Sequence, residues 1–437
     1  MAMTTRLALA SRQANRQAAR KTLRLGFWEG TTGFTALSIA ESFFSPLAIA
    51  LKGTAFQIGL LVGVPYLAAA LAQLFTHRLV AWLRSRKRVM LWSVGLSVLP
   101  WLGIAWLPHV GLPDPVAWLI PLAAGVMVLQ NLSAPAWGSW IADLLPMRRR
   151  GDYLGLRMAA AGVVASAAVL AFGVLLDRLD SRVYWGFSAV FVLAVVLRLG
   201  SLALLSGMHE PMVRGGPNGP GLWTFLGSLG RTRLGHLVLY MGLLYFGTNV
   251  AGPYFAVYML RDLGVGYATF MFLNAANVVA AIVGVRFWGL YADRYGNRAV
   301  LRITGVAISF LPLLWLFSQW VPYLVAINAA GGFVWGGLTL CALNFVYELA
   351  PSAARTRAVG HFNASIGAGV FLGGLAGGII AGRVPLLFEH RLMTLFLLSG
   401  VLRLLVTVVF VPTIRGTQAP GGRPSWPLPF HHFGKHS

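Results

Sequence analysis

The chain has 437 residues, 57% of them hydrophobic and only 11% charged, against about 25% charged in an average soluble domain, so a soluble globular fold is excluded. A formal charge of +23 would suit a nucleic-acid binder if it were gathered on one face, but the basic residues fall mainly in gaps between apolar runs, and no nucleic-acid partner is expected. The single cysteine, Cys341, lies inside an apolar run, which excludes an intrachain disulfide and a thiolate metal cluster.

Residues 1–24 are basic and free of acids ("TTRLALASRQANRQAARKTLR"), a composition shared by organellar transit peptides and by cytoplasmic tails that precede a first membrane helix. The tail reading needs no cleavage. Beyond it, apolar runs of about 20 residues recur, each long enough to cross the hydrocarbon of a lipid bilayer. Twelve are predicted: 25–50, 56–78, 88–108, 116–142, 153–176 and 184–206, then 236–259, 267–290, 300–318, 322–347, 358–382 and 391–413. With the N-terminus inside, alternate gaps hold Arg78, Arg84, Arg86, Lys87 and Arg88, then Arg148 to Arg150, then Arg294 and Arg298, then Arg355 and Arg357. The other gaps hold little more than Lys52, Arg178, Arg182, Arg261 and Arg383. The positive-inside rule therefore places both termini, the tail 1–24 and the tail 414–437, in the cytoplasm, and the chain in a plasma membrane such as the bacterial inner membrane.

The longest gap, 207–235, is rich in glycine and proline and reads as a cytoplasmic linker between a six-helix half, 25–206, and a second, 236–413. An internal repeat supports the division. "DLLPMRRRGDYLG" from Asp143 matches "ELAPSAARTRAVG" from Glu348, and the same shift brings Arg198 onto Arg403. Two parallel, pseudo-symmetric six-helix bundles are the economical explanation, giving an all-α integral membrane fold.

One loop stands out. "GLYADRYGNR", Gly289 to Arg298, follows the second span of the second half. It resembles the signature of the major facilitator superfamily, in which a glycine, then Asp-Arg, then Gly and further basic residues join the second and third helices of a half. Gly289, Asp293, Arg294, Gly296 and Arg298 match; the corresponding loop of the first half keeps its basic residues but carries Leu83 in place of the acid. The resemblance implies the twelve-helix fold of that superfamily and a gate on the inward side, with Asp143 and Glu348 at the ends of the fourth and tenth helices as its acidic partners. It also implies a monomeric secondary active transporter of a small-molecule substrate, working by alternating access and coupled to protons. "PAWGSWIADLLPMRRRGDYLG" is similar to a pattern in uncharacterised bacterial permeases of the superfamily.

Within the spans, ionisable groups are the first candidates, because each costs several kcal/mol unless it faces a cavity or a partner. Glu41 shares a face of the first span with Ser38 and Ser45, and is expected either to serve a cavity as proton or substrate site or simply to reach the outer water. Glu29 lies about 18 Å along the helix from Glu41 and about 120° around it, so the two acids form no dyad, and Glu29 reads as a surface or gate residue. Asn274 and Asn277 suit substrate hydrogen bonds or close helix packing equally. Asn249 occupies the place of Ser38 in the second half, and nearby Pro253 should loosen the seventh span. Arg286 is expected to snorkel, and Arg198 and Arg403 to be structural. The run "GAGVFLGGLAGG" in the eleventh span should let helices approach closely. Tyr66, Trp137, Trp140, Tyr254 and Trp335 are expected either to line an apolar cavity or to face lipid or the membrane interface.

No Walker-type phosphate loop and no H-E-x-x-H occurs, and the acids are scattered at loop edges, so neither an enzyme nor a cofactor is expected. Export of a small organic compound and proton-coupled nutrient uptake both stay open. The fifth span lacks the Gly-Pro element of drug-proton antiporters, which lowers a multidrug reading. A non-transporting sensor or scaffold is the remaining alternative.

Overall fold

The computed structural model describes residues 2–144, 147–179, 182–210, 227, 231–350, 355–386, 390–412 and 414. Among them are twelve helices long and apolar enough to cross a membrane. The first half supplies α1 (Ala2–Ala50), α2 (Ala55–Leu83), α3 (Arg86–Trp106), α4 (Pro115–Leu144), α5 (Met147–Leu179) and α6 (Val183–Ser206). The second supplies α7 (Arg233–Asp262), α8 (Tyr267–Tyr295), α9 (Asn297–Leu314), α10 (Val321–Leu349), α11 (Arg355–Ala381) and α12 (Arg391–Phe410). Every backbone amide and carbonyl in hydrocarbon needs an internal partner, which is why composition this apolar folds as helices.

The basic residues 2–24 are helical and continuous with α1, because alanine, arginine and glutamine are strong helix formers and no glycine or proline interrupts them before Gly26. Caps end the other helices where the sequence supplies them. Thr54 and Gln57 form a reciprocal capping box at the start of α2, Ser85 accepts from Arg88 N on α3, and Thr232 accepts from Gly235 N on α7. Gly296 joins α8 to α9 at φ +83°, a conformation that side chains resist. The α-helix of α7 stops at Ala251, resumes at Tyr254–Val257 and finishes as a π-helical turn, Tyr258–Asp262. Pro253, lacking a backbone donor, sits at the break.

The halves pack by one plan. In the first, α1 lies against α5 and α6, α2 against α4, and α3 against α4 and α6; in the second, α7 lies against α11 and α12, α8 against α10, and α9 against α10 and α12. Two seams join them, α2 with α11 and α5 with α8, which the repeat also relates to one another. One end of this bundle carries Arg84, Arg88, Arg294 and Arg355 and is called the basic face below; the other is the opposite face.

The glycine run of α11 serves two interfaces at once. A Cβ on Gly369, Gly373 or Gly377 would overlap the α7 carbonyls of Gly242, Phe246 and Val250, while one on Gly374 would lie 2.7 Å from Gly59 O of α2. Glycines at every fourth position thus bring α11 onto its own half, and the adjacent face brings it onto the other.

Candidate functional site

Glu41 is solvent-accessible although it lies well within the length of α1. It stands nine residues, about 14 Å, from the end of α1 at Ala50. Tyr66 of α2, 43% exposed, lies within electrostatic reach of the Glu41 carboxylate and of Tyr245 on α7. Tyr245 packs edge-on against Trp335 of α10, ring centroids 5.3 Å apart. Helices from both halves therefore bring one carboxylate and three amphipathic aromatic rings to the same region. Ser38 and Ser45 are half-buried on the same helix as Glu41. Of the other candidate aromatics, Trp140 and Tyr254 are fully buried and Trp137 is occupied by an arginine, so only Tyr66 and Trp335 fit a cavity wall.

The asparagines are committed elsewhere through their amide groups. Asn249 donates to Tyr245 O and Asn274 to Phe270 O, each one turn back on its own helix, at 2.9 and 3.0 Å. Asn277 donates to Asn328 O of α10 at 2.9 Å, where Gly332 leaves room for the Asn277 backbone. That amide therefore bridges α8 and α10.

Glu29 corrects an expectation. Instead of meeting the surface it is 5% exposed, because α5 and α6 provide partners distant in sequence. Arg157 Nη2 lies 3.2 Å from Glu29 Oε2, and Ser201 Oγ donates to Oε1 at 3.1 Å. The Arg157 guanidinium also donates to Gly26 O and stacks over Trp137 of α4 at 3.9 Å, in space that Gly30 leaves open. Arg198 lies beside this group and donates to Ser97 and Gln130. Its repeat mate Arg403 is buried too, donating to Ser399 Oγ, Ile308 O and Thr248 O. Each arginine packs against a glycine of its half's first helix, Gly33 and Gly247, so both hold a bundle together from within. Arg286 is exposed, in keeping with a snorkelling side chain.

A chain of amides went unnoticed in the sequence. Asn363 of α11 donates to Gln73 of α2 at 3.0 Å, and Gln73 to Asn131 of α4 at 2.8 Å, crossing the seam between halves. Gln73 lies two turns, about 10 Å, nearer the basic face than Tyr66. Single amides in apolar spans carry no periodic signal, which is why only the fold exposes them.

In the signature loop, Asp293 and Arg294 are exposed, and Asp293 forms no ion pair among the described residues. Gly289 faces Leu340 of α10, and Arg298 donates to Pro412 O at 3.3 Å. Glu348 is exposed and accepts from Asn297 at 3.4 Å, a contact inside the second half. Asp143 ends α4, but its side chain lies outside the described residues, as do those of Arg148 to Arg150. Of the linker 207–235, residues 207–210, 227 and 231–235 are described, and Glu210 accepts from Ser85 Oγ and from Arg86 N at 2.6 Å and so caps α3.

With twelve spans, two repeated halves and this loop in place, the kind of protein is defined. A family model described as Major Facilitator Superfamily matches residues 31–230 and 237–433. The chain belongs to the major facilitator superfamily, and it is a multi-pass membrane transporter rather than an enzyme. Its structure is similar to a single-site mutant of the nucleoside transporter NupG, with TM-score 0.68 and 15% identity over 91% of this chain and all of that one. It is similar to a D-xylose-proton symporter, with TM-score 0.66 and 15% identity over 92% of this chain and 98% of that one. A bacterial homologue of the lysosomal transporter Spinster, inward-facing and unoccupied, gives TM-score 0.62 and 16% identity over 91% and 95%. Among curated sequences, the multi-drug resistance efflux pump PmrA of Streptococcus pneumoniae is 28% identical over 195 residues, 40% of this chain and 45% of that protein. Multidrug resistance protein 2 of Bacillus subtilis is 24% identical over 137 residues, 31% and 34% of the two chains. The chain thus spans less than half the length of these curated relatives.

Proposed function

We propose that this transporter is a secondary active carrier that moves a small, partly apolar organic solute by alternating access, with protons exchanged at Glu41. The observation that carries the reading is the accessible Glu41 carboxylate beside Tyr66, whose ring lies in turn within electrostatic reach of Tyr245 across the seam. A group that must meet substrate or proton from each side in turn belongs where the halves join. An acid beside Tyr66, with Tyr245 near that ring and Trp335 packed on Tyr245, favours a solute with an apolar body and a polar or basic end.

Export is favoured over nutrient uptake by the efflux pumps among the curated relatives, although a symporter stands among the structural neighbours. Both termini lie in the cytoplasm of a bacterial inner membrane in this reading, the linker 207–235 tethers the halves, and a monomer suffices. A cysteine placed at Gly215 in a Cys341→Ala background should resist impermeant reagents in whole cells; labelling from outside would reverse the orientation.

The coupling test starts with a thermal-stabilisation screen of small organic compounds on purified protein. Glu41→Gln, which keeps size and removes titration, should abolish accumulation driven by a proton gradient in proteoliposomes while binding and counterflow persist. Gradient-driven accumulation by that variant would remove Glu41 from the coupling role.

A further inference from the structure

The first turn of a helix leaves amides without intrahelical partners, and a side chain at the N-cap position normally satisfies them. At the opposite face, α2 does this for itself through Thr54 and Gln57. Its repeat counterpart α8 does not: the N-cap position is Gly266, extended at φ −64° and ψ 156°, with no side chain to offer. The cap comes instead from the other half of the molecule. Asp177, in the last turn of α5, accepts from Tyr267 N at 2.6 Å and from Ala268 N at 2.9 Å. Glycine at 266 is what permits the approach, since a Cβ there would lie 2.9 Å from Asp177 Oδ2. The Tyr267 ring packs edge-on against Phe187 of α6 at 5.7 Å, and Gly173 of α5 admits Met271 and the Tyr267 carbonyl.

We propose that Asp177 is a latch between the two halves, fastening the first turn of α8 to the end of α5 and holding the opposite face shut. The proposal rests on the alternating-access reading, in which the halves separate at one face while they meet at the other. A carboxylate on amides at the positive end of a helix dipole is a charge-assisted contact, and both partners return to water when the face opens. A cap taken from across the seam therefore weights the equilibrium toward closure, whereas a cap on α8 itself would be indifferent to it. Tyr254 Oη, donating to Ala55 O at 3.2 Å, joins the halves at the other seam on the same face, but as a neutral and longer contact.

The test uses the full chain in lipid nanodiscs with no substrate, so its outcome is independent of whether Glu41 couples protons. Spin labels at Val110 and Phe317, both exposed in loops of the opposite face, report its opening; labels at Arg88 and Arg302 report the basic face. Asp177→Ala should raise the ratio of open to closed opposite face about tenfold, and the isosteric Asp177→Asn should shift it the same way, by less. The double variant Asp177→Ala/Gly266→Ser gives α8 its own cap in the vacated space. An inter-half latch predicts that the double variant recovers thermal stability but stays open. Unchanged distances in both single variants would overturn the proposal, and so would a double variant that returns to the closed distribution, because Asp177 would then serve α8 alone.

Discussion

Arg157 of α5 holds the Glu29 carboxylate of α1 at 3.2 Å, a contact inside the first half. Both side chains are largely shielded, 14% and 7% exposed, so removing Glu29 leaves Arg157 without an acidic partner among the described residues, and removing Arg157 leaves Glu29 with Arg198 as its nearby cation. Arg157→Met or Glu29→Gln alone should destabilise the purified protein by about 3–5 kcal/mol, whereas the double variant should cost distinctly less. Thermal unfolding of the four forms makes a double-mutant cycle, and additive losses would mean the pair is not coupled.

The glycines of α11 give a second expectation, about shape rather than charge. Gly373→Ala drives a methyl into Phe246 O of α7, and neither backbone can yield without moving a whole helix. A loss of about 1–3 kcal/mol and a drop in transport are expected. Gly382→Ala, with nothing within 4 Å of the added carbon, should be neutral on both counts. Thermal unfolding and transport of the two variants side by side check the contrast.

For Asp293 we propose a latch role at the basic face, on its place in the signature loop beside Arg294 and Arg298. Asp293→Asn should raise the population open at the basic face about tenfold, about 1.4 kcal/mol, as read from the Arg88 and Arg302 labels. An unchanged distribution would leave the loop with a purely structural role.

Several of these residues were legible in sequence and several were not, for reasons that differ. Glu41 stood out because a carboxylate in an apolar run is costly wherever the helix places it. Glu29 carried the same signal yet was misplaced, because its depth in the bundle depends on Arg157 and Ser201, far along the chain. Asn277 was legible as polar, but nothing in its own span said that Asn328 would take its amide. Asp177 sat inconspicuously at a loop edge.

Sequence by itself determined the twelve spans, their division into repeated halves and the glycine-rich character of α11. Lipid forces each segment to satisfy its own backbone, so span number and length follow from local composition. Only the tertiary structure decided which helix meets which, and hence that Gln73 joins Asn131 to Asn363, that Arg157 finds Glu29, and that Asp177 caps α8. Those choices are set by helix rotation and by close packing between segments that hydrocarbon makes equally comfortable, and no local pattern along one span encodes them.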